Sequence, residues 1–177
     1  MKMGSISLVV AVATVTMLLQ NEVVSAARKD QQLIETTCKN TPDYHLCIAV
    51  ITADPSCRAA PLQDLALIVV AEIKKKTVEI IKEIEHLKKS GPKEMQPALK
   101  KCRSYYNAVQ VGDIPVAEQA TWGNPKFAET AMADAKIEAE MCEDAFLKVP
   151  NPSPFTKQNK YIADVAAVAR GIIRNLL

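Results

Sequence analysis

Cysteines are the residues of this chain with the clearest chemistry. Five are present, an odd number that in a secreted protein is typical of two disulfides and one thiol left over. Cys38 and Cys47 flank a turn-forming Asn-Thr-Pro stretch, and this short spacing favours a bridge across a helical hairpin. Cys102 and Cys142 each lie within a long helical pattern and could clamp two helices together. Spacing alone leaves other pairings open, and Cys57 remains either a free thiol or the link between two molecules.

The other reactive side chains form no catalytic or metal-binding motif. His45 and His86 have no cysteine or acidic partner at the spacing of metal ligands. The chain has no nucleophile elbow, phosphate-binding loop or zinc motif. Paired acids are expected to be solvated on charged helix faces, namely Glu138 with Glu140 and Glu143 with Asp144. We therefore predict that the protein is not an enzyme, binds no metal and carries no cofactor.

The first residues have the pattern of a secretory signal peptide. Lys2 precedes an uncharged run from Ile6 to Leu19, and small residues follow at positions 25–27. The run of 14 residues is shorter than the about 20 that a membrane-spanning helix needs. We predict a leader over residues 1–26, with cleavage after Ala26 or Ala27, and a secreted protein without a membrane anchor.

Charge and composition narrow the class of partner and of fold. The chain has 22 basic and 20 acidic residues, a net charge of +2, which favours neither nucleic acid nor a membrane surface as partner. Glycine and phenylalanine are scarce, at five and three residues, while Ala, Glu, Lys, Ile and Val abound. The mature chain of about 150 residues suits a single helical domain.

Apolar periodicity predicts two short helices followed by four long ones. The predicted helices span residues 31–39, 42–53, 62–88, 95–110 with a continuation at 116–121, 126–147 and 157–175. Thr41 is placed to cap the second helix, and Gly112 and Pro115 predict a kinked or broken rod. We expect an all-α fold, with an N-terminal hairpin over residues 27–60 and an up-down-up-down four-helix bundle over residues 61–177.

Several local patterns together resemble the plant invertase inhibitor and pectin methylesterase inhibitor family. They are the run from Glu35 to Pro42, Tyr44 with Cys47, Asp64 to Leu67, Ala98 to Cys102, Cys142-Glu143 with Phe146, Ser153 to Phe155, and the tail from Val168 to Leu177. The likeness covers residues from about 32 to 177. It implies a four-helix bundle with an α-hairpin, and the disulfides Cys38–Cys47 and Cys102–Cys142.

The resemblance also implies a target and the residues that contact it. Pro125-Lys126-Phe127 matches the Pro-Lys-Phe motif of the invertase-inhibiting branch, which enters the substrate cleft of the glycoside hydrolase. Acid invertase (β-fructofuranosidase) is then the protein partner, in the cell wall (apoplast) or alternatively the vacuole, and Asn124 joins the motif at the contact. A monomer is expected unless Cys57 links two copies. The alternatives are a pectin methylesterase inhibitor on the same scaffold and a helical carrier of a small apolar ligand.

Helix physics singles out Lys126 independently. Asn124 is able to cap a helix and Pro125 fits its first position, so Lys126 falls in the first turn. A cation there opposes the helix dipole by about 0.3 to 1 kcal/mol, so replacing Lys126 is not expected to lower stability. Its ammonium could bind the acidic pair of a retaining glycosidase, with Phe127 as an anchor. In the alternative interpretation Lys126 is solvated and Phe127 lies in the core, and Trp122 either widens the contact or packs under the loop.

Overall fold

The computed structural model describes residues 28–177, and the predicted leader lies outside them. In this part of the chain every regular element is helical. The elements are α1 (28–39), α2 (Tyr44–Ala53), α3 (Leu62–Ser90), α4 (Gln96–Ala108), α5 (Ile114–Gly123), α6 (Pro125–Asp144) and α7 (Thr156–Arg174), with single 3₁₀ turns at Pro55–Cys57 and Lys93–Met95.

Four long units form the bundle, because α4 and α5 join into one rod. Neighbouring units run antiparallel: Glu85 near the end of α3 contacts Arg103 of α4, and Glu129 near the start of α6 contacts Arg174 at the end of α7. α1 and α2 form the N-terminal hairpin, whose second helix packs against α3 and α7. The predicted all-α fold, an up-down-up-down bundle with a hairpin extension and two disulfides, is confirmed.

The long apolar stripes read from the sequence form the core. On α3 the side chains of Leu65, Ile73, Ile80 and Ile84 are buried. They meet buried residues of the other three units, among them Leu99, Tyr106, Met132, Val165 and Ile172. Burial of apolar area at about 25 cal/mol per Å² is therefore what holds these amphipathic helices together.

The hairpin begins its second helix later than predicted. α2 starts at Tyr44, and its cap is Asp43, whose carboxylate accepts a hydrogen bond of 2.9 Å from the backbone N–H of Leu46. Thr41 does not cap α2, because its hydroxyl donates instead to the carbonyl of Cys38 at 2.7 Å and closes the end of α1. This turn packs closely on α7, where a Cβ at Gly171 would lie 3.1 Å from the Cα of Thr41.

The break predicted at Gly112 and Pro115 is absent, although the helix is irregular at this place. A π-helical turn over Val109–Asp113 carries the backbone from α4 into α5 without interruption. Its wider hydrogen bonding, in which the N–H of Ile114 donates to the carbonyl of Val109, leaves room for Pro115 in the first turn of α5. Proline lacks an N–H, so it is tolerated in a first turn and costs the rod no backbone hydrogen bond there.

Two disulfides cross-link the elements. Cys38–Cys47 joins α1 to α2 and Cys102–Cys142 joins α4 to α6, with Cα–Cα distances of 5.5 and 4.4 Å. Cys57 is the free cysteine of the described residues, and it is 9% exposed. Its burial does not favour a disulfide between two molecules, which needs an accessible sulfur.

Across residues 28–177, every helix falls short of the length and apolarity that crossing a bilayer requires.

Candidate functional site

The predicted contact residues lie together at one corner of the bundle, where α5 ends and α6 begins. We call residues 122–127 the α5–α6 corner. Asn124 alone links the two helices: its N–H donates to the carbonyl of Ala120 at 2.8 Å, and its carbonyl accepts from the N–H of Phe127 at 3.0 Å. Its side chain makes no capping hydrogen bond, so the predicted cap is wrong. The backbone instead turns at Asn124, and Pro125 opens α6 with its fixed φ.

The corner presents two aromatic side chains and a cation to solvent. Trp122 and Phe127 are 58% and 62% exposed, and the Lys126 side chain is 68% exposed. The interpretation of Phe127 as a core residue is therefore wrong, and Trp122 does not pack under the loop. Exposed large aromatics beside a charge are typical of protein interaction sites rather than of a solvated surface.

A buried carboxylate behind the corner was not anticipated from the sequence. Glu129, one turn after Lys126, has a side chain only 2% exposed. Its Oε2 accepts a hydrogen bond from the Lys126 ammonium, and its Oε1 accepts from the Nε atoms of Arg170 and Arg174, at 2.9 Å each. The hydrogen bond from Lys126, with those from the two arginines, lowers the pKa of Glu129 to about 2 although burial opposes this shift.

This cluster changes the electrostatic description of the corner. Three cations surround one carboxylate, so the four side chains of this cluster together carry a net charge of +2. The Lys126 ammonium is also compensated locally by Glu129, rather than opposed by the helix dipole alone. An i,i+3 ion pair of this kind is worth a few tenths of a kcal/mol on a surface and more beside a buried partner.

A second acidic pair lies where the π turn packs on α6. Asp113 and Glu138 share a hydrogen bond, and one oxygen of each is buried without a donor partner among the described residues. Burial, with the charges of the pair itself and of Asp134, raises the pKa of Asp113 to about 6 and that of Glu138 to about 7. No basic side chain of the described part forms an ion pair with them. The expectation that Glu138 is solvated is therefore wrong.

This pair predicts a fold that loses stability as the pH rises. Between about pH 4 and 7 the folded protein retains a proton that the unfolded chain releases, so the free energy of unfolding falls over that range. Because the pair is partly exposed, we expect a fall of about 1 to 2 kcal/mol. Urea denaturation at several pH values between about 5.5 and 7.5 measures it, because Glu129 is ionised throughout that range, and Glu138→Gln should remove most of the dependence.

The matched control for that prediction is Glu140→Gln. Glu140 lies two residues further along α6, is exposed and pairs with Lys136. Its replacement should leave the pH dependence of unfolding as it is in the parent. A parent protein whose stability rises from about pH 5.5 to 7.5, above the range in which Glu129 contributes a pH dependence, contradicts the assignment. Glu129 acts in the opposite sense, because its pKa is lowered to about 2 and the stability that it adds is lost as the pH falls from about 5 toward 2.

Glu143 is likewise built into the structure rather than solvated. Its carboxylate accepts hydrogen bonds from Thr156 at 2.6 Å and from Asn159 at 2.7 Å. The buried Tyr106 hydroxyl donates to Asn159 Oδ1 at 2.7 Å and extends the network into the core. Burial raises the pKa of Glu143, but these hydrogen bonds outweigh it and the net shift is downward. The network fastens α4, α6 and α7 at the end opposite the corner, which is a structural role.

Comparisons with known proteins agree with the fold and with the class of molecule. The chain is 36% identical over 141 residues to the "Cell wall / vacuolar inhibitor of fructosidase 1" of Arabidopsis thaliana, covering 79% of this chain and 67% of that protein. The fold matches the crystal structure of a mutant form of a pectin methylesterase inhibitor from Arabidopsis, with a TM-score of 0.68, 17% identity, and 80% and 95% of the two chains covered.

A second crystal structure of a pectin methylesterase inhibitor, from Arabidopsis thaliana, matches with a TM-score of 0.62 at 19% identity, covering 82% of this chain and 97% of that one. At these identities the two structures show the fold. The family model described as "Plant invertase/pectin methylesterase inhibitor" matches residues 32–172. The expectation of an inhibitor rather than an enzyme is thereby confirmed, and the chain belongs to the plant invertase/pectin methylesterase inhibitor family.

Proposed function

We propose that this protein is a secreted inhibitor of plant acid invertase (β-fructofuranosidase) that occupies the substrate cleft of the enzyme with Pro125, Lys126 and Phe127. The observation that carries the proposal is the α5–α6 corner itself. It lies at one end of the bundle and exposes Phe127, Trp122 and the Lys126 side chain together. Exposed aromatic side chains beside a cation at a helix start are able to act as anchors in the cleft of a partner.

The charge of the corner fits the chemistry of the proposed target. Invertases resemble other retaining glycosidases, which cleave the glycosidic bond with a pair of carboxyl groups. The exposed Lys126 side chain would be attracted to such a pair, while Arg170 and Arg174 balance the charge of Glu129 behind it. Asn124 sets the direction of approach, because it is the one residue between the two helices.

The printed name of the Arabidopsis relative supports the same target and the compartment. That protein is called an inhibitor of fructosidase of the cell wall or vacuole, and it is 36% identical to this chain. The two disulfides suit an oxidising compartment. The pKa shifts of Glu138 and Glu129 place maximal stability in the mildly acidic range, which suits an acidic compartment. We propose the cell wall first, with the vacuole as the alternative, and a monomer.

The carrier alternative has little support. A groove of about 520 Å³ between α3 and α7 is lined largely by charged and polar side chains, including Glu72, Lys76, Glu79 and Glu83. The groove lies open on the surface between these charged side chains, whereas a small apolar ligand is bound in a site that encloses most of its surface. The space between the helices is filled by buried side chains. Inhibition of pectin methylesterase remains the competing outcome, because both branches share the fold.

One assay separates these functions. The purified protein is titrated against a cell-wall invertase, a vacuolar invertase and a pectin methylesterase, each at its own working pH. We expect loss of invertase activity, competitive with sucrose, and no effect on pectin methylesterase. Inhibition of pectin methylesterase alone contradicts the proposal, and so does invertase inhibition that sucrose does not relieve.

A further inference from the structure

The Lys126 ammonium is not free in the unbound protein. The Lys126 side chain lies back along α6, and its ammonium donates a hydrogen bond to Oε2 of Glu129. The Glu129 side chain itself is almost completely buried. A side chain held there does not extend beyond the corner. To reach a carboxylate inside a cleft, the lysine has to leave Glu129, and the free energy of that internal pair is subtracted from the binding free energy.

Glu129 differs from an ordinary ion-pair partner because it has two further cations. Arg170 and Arg174 both bind its other oxygen through Nε, from one face of α7. Loss of all three partners would leave a buried, unpaired carboxylate, which is strongly destabilising. With both arginines in place, departure of Lys126 leaves Glu129 paired at Oε1.

We propose that Glu129 competes with the target enzyme for Lys126, and that Arg170 and Arg174 act as positioning residues that make its release easy. The inference rests on the proposed function, since the target must offer Lys126 another carboxylate. The arginines then set the affinity through Glu129, without touching the target. When one arginine is removed, Glu129 holds Lys126 more tightly because it has fewer other cations. Release of Lys126 then costs more free energy, and inhibition becomes weaker. When the Glu129 carboxylate is removed, Lys126 has no internal partner to leave. The two arginines then no longer affect how easily Lys126 reaches the target.

A double-mutant cycle tests this mechanism. Arg174→Gln should weaken invertase inhibition about three- to tenfold in the parent, and by at most about twofold when Glu129→Gln is already present. Glu129→Gln alone should inhibit at least as well as the parent. Arg103→Gln is the matched control, because Arg103 also pairs with a glutamate through Nε but lies near the other end of the bundle. It should change inhibition by less than about twofold.

Two results overturn the proposal. An equal loss from Arg174→Gln in both backgrounds would mean that Arg174 acts on the target directly. Weaker inhibition by Glu129→Gln would mean that Glu129 holds Lys126 in the productive position instead of competing for it. Each variant is first checked by its thermal melting curve, so that loss of fold is not read as loss of binding.

A measurement without the target separates this inference from the proposed function. The rate at which an amine-acylating reagent modifies Lys126 is followed by peptide mass spectrometry, with Lys157 as the internal reference. Glu129→Gln should raise the Lys126 rate by about two- to fivefold, and Arg174→Gln should lower it. Unchanged rates in both variants overturn the competition for Lys126 even if invertase is inhibited. Altered rates without any inhibition of invertase would instead contradict the proposed function.

Discussion

Lys126→Ala is expected to raise the inhibition constant for acid invertase at least tenfold. If the ammonium is desolvated against the catalytic carboxyl groups, its removal leaves those groups buried without a partner. Such truncations typically cost about 2 to 5 kcal/mol, or roughly 30-fold to several thousandfold. The lower bound is set at tenfold because the parent has to release Lys126 from Glu129 before it binds, and the alanine variant does not. Steady-state inhibition at several sucrose concentrations measures the constant.

Lys126→Glu should abolish inhibition, since it replaces an attraction by repulsion from the same carboxyl groups. It should also lower stability, because it sets a second carboxylate beside the buried Glu129. For Lys126→Ala we expect a loss of less than about 1 kcal/mol, because Arg170 and Arg174 still compensate Glu129. From the helix dipole alone, replacing Lys126 is not expected to lower stability. The structure corrects this expectation, because Lys126 forms an ion pair with Glu129 that the replacement removes.

The control is Lys157→Ala. Lys157 is also an exposed lysine at the second position of a helix, α7, but it lies at the opposite end of the bundle. Its removal should change the inhibition constant by no more than about two- or threefold. Normal inhibition by both Lys126 variants, with normal folding, would exclude the corner as the part that enters the cleft. The contact would then have to lie on the bundle face or the hairpin.

More of the fold than of the site could be predicted from the sequence, because the apolar spacing that marks a helix lies within a single segment of the chain. The 3.6-residue spacing of Leu65, Ile73, Ile80 and Ile84 marks a buried helix face in any context, and the structure buries all four. The rod was less predictable. Pro115 indicates a helix start or a break with equal force, and the π turn that accommodates it depends on how the rod packs against α6.

The ion-pair cluster of Lys126, Glu129, Arg170 and Arg174 could be predicted from the sequence only in part. Lys126 and Glu129 are three residues apart on one helix, so their pairing could have been predicted from spacing. The burial of Glu129 could not, and neither could its bonds to Arg170 and Arg174, which lie 41 and 45 residues away. These contacts exist because α7 returns antiparallel to α6, and a charged residue in a sequence carries no mark of its burial.

The largest effect on stability is expected from the Cys102–Cys142 disulfide. Its cysteines are 40 residues apart, and the chain-entropy model assigns such a loop about 3.9 kcal/mol. Both sulfurs are buried, beside the network that joins Tyr106, Asn159 and Glu143. Cys102→Ala with Cys142→Ala should therefore lower the free energy of unfolding by about 3 to 4 kcal/mol and the melting temperature by roughly 10 °C.

Binding should be nearly unaffected by that change wherever the variant remains folded. Cys142 lies at the end of α6 remote from Lys126, and the corner is held by its own contacts to α5 and α7. Cys57→Ala is the control for loss of a buried cysteine without loss of a cross-link, and it should cost about 1 kcal/mol. A double variant that melts with the parent would show that packing alone holds α4 on α6. A folded double variant that no longer inhibits would show that the corner depends on the far end of the bundle, because α6 transmits the change along its length.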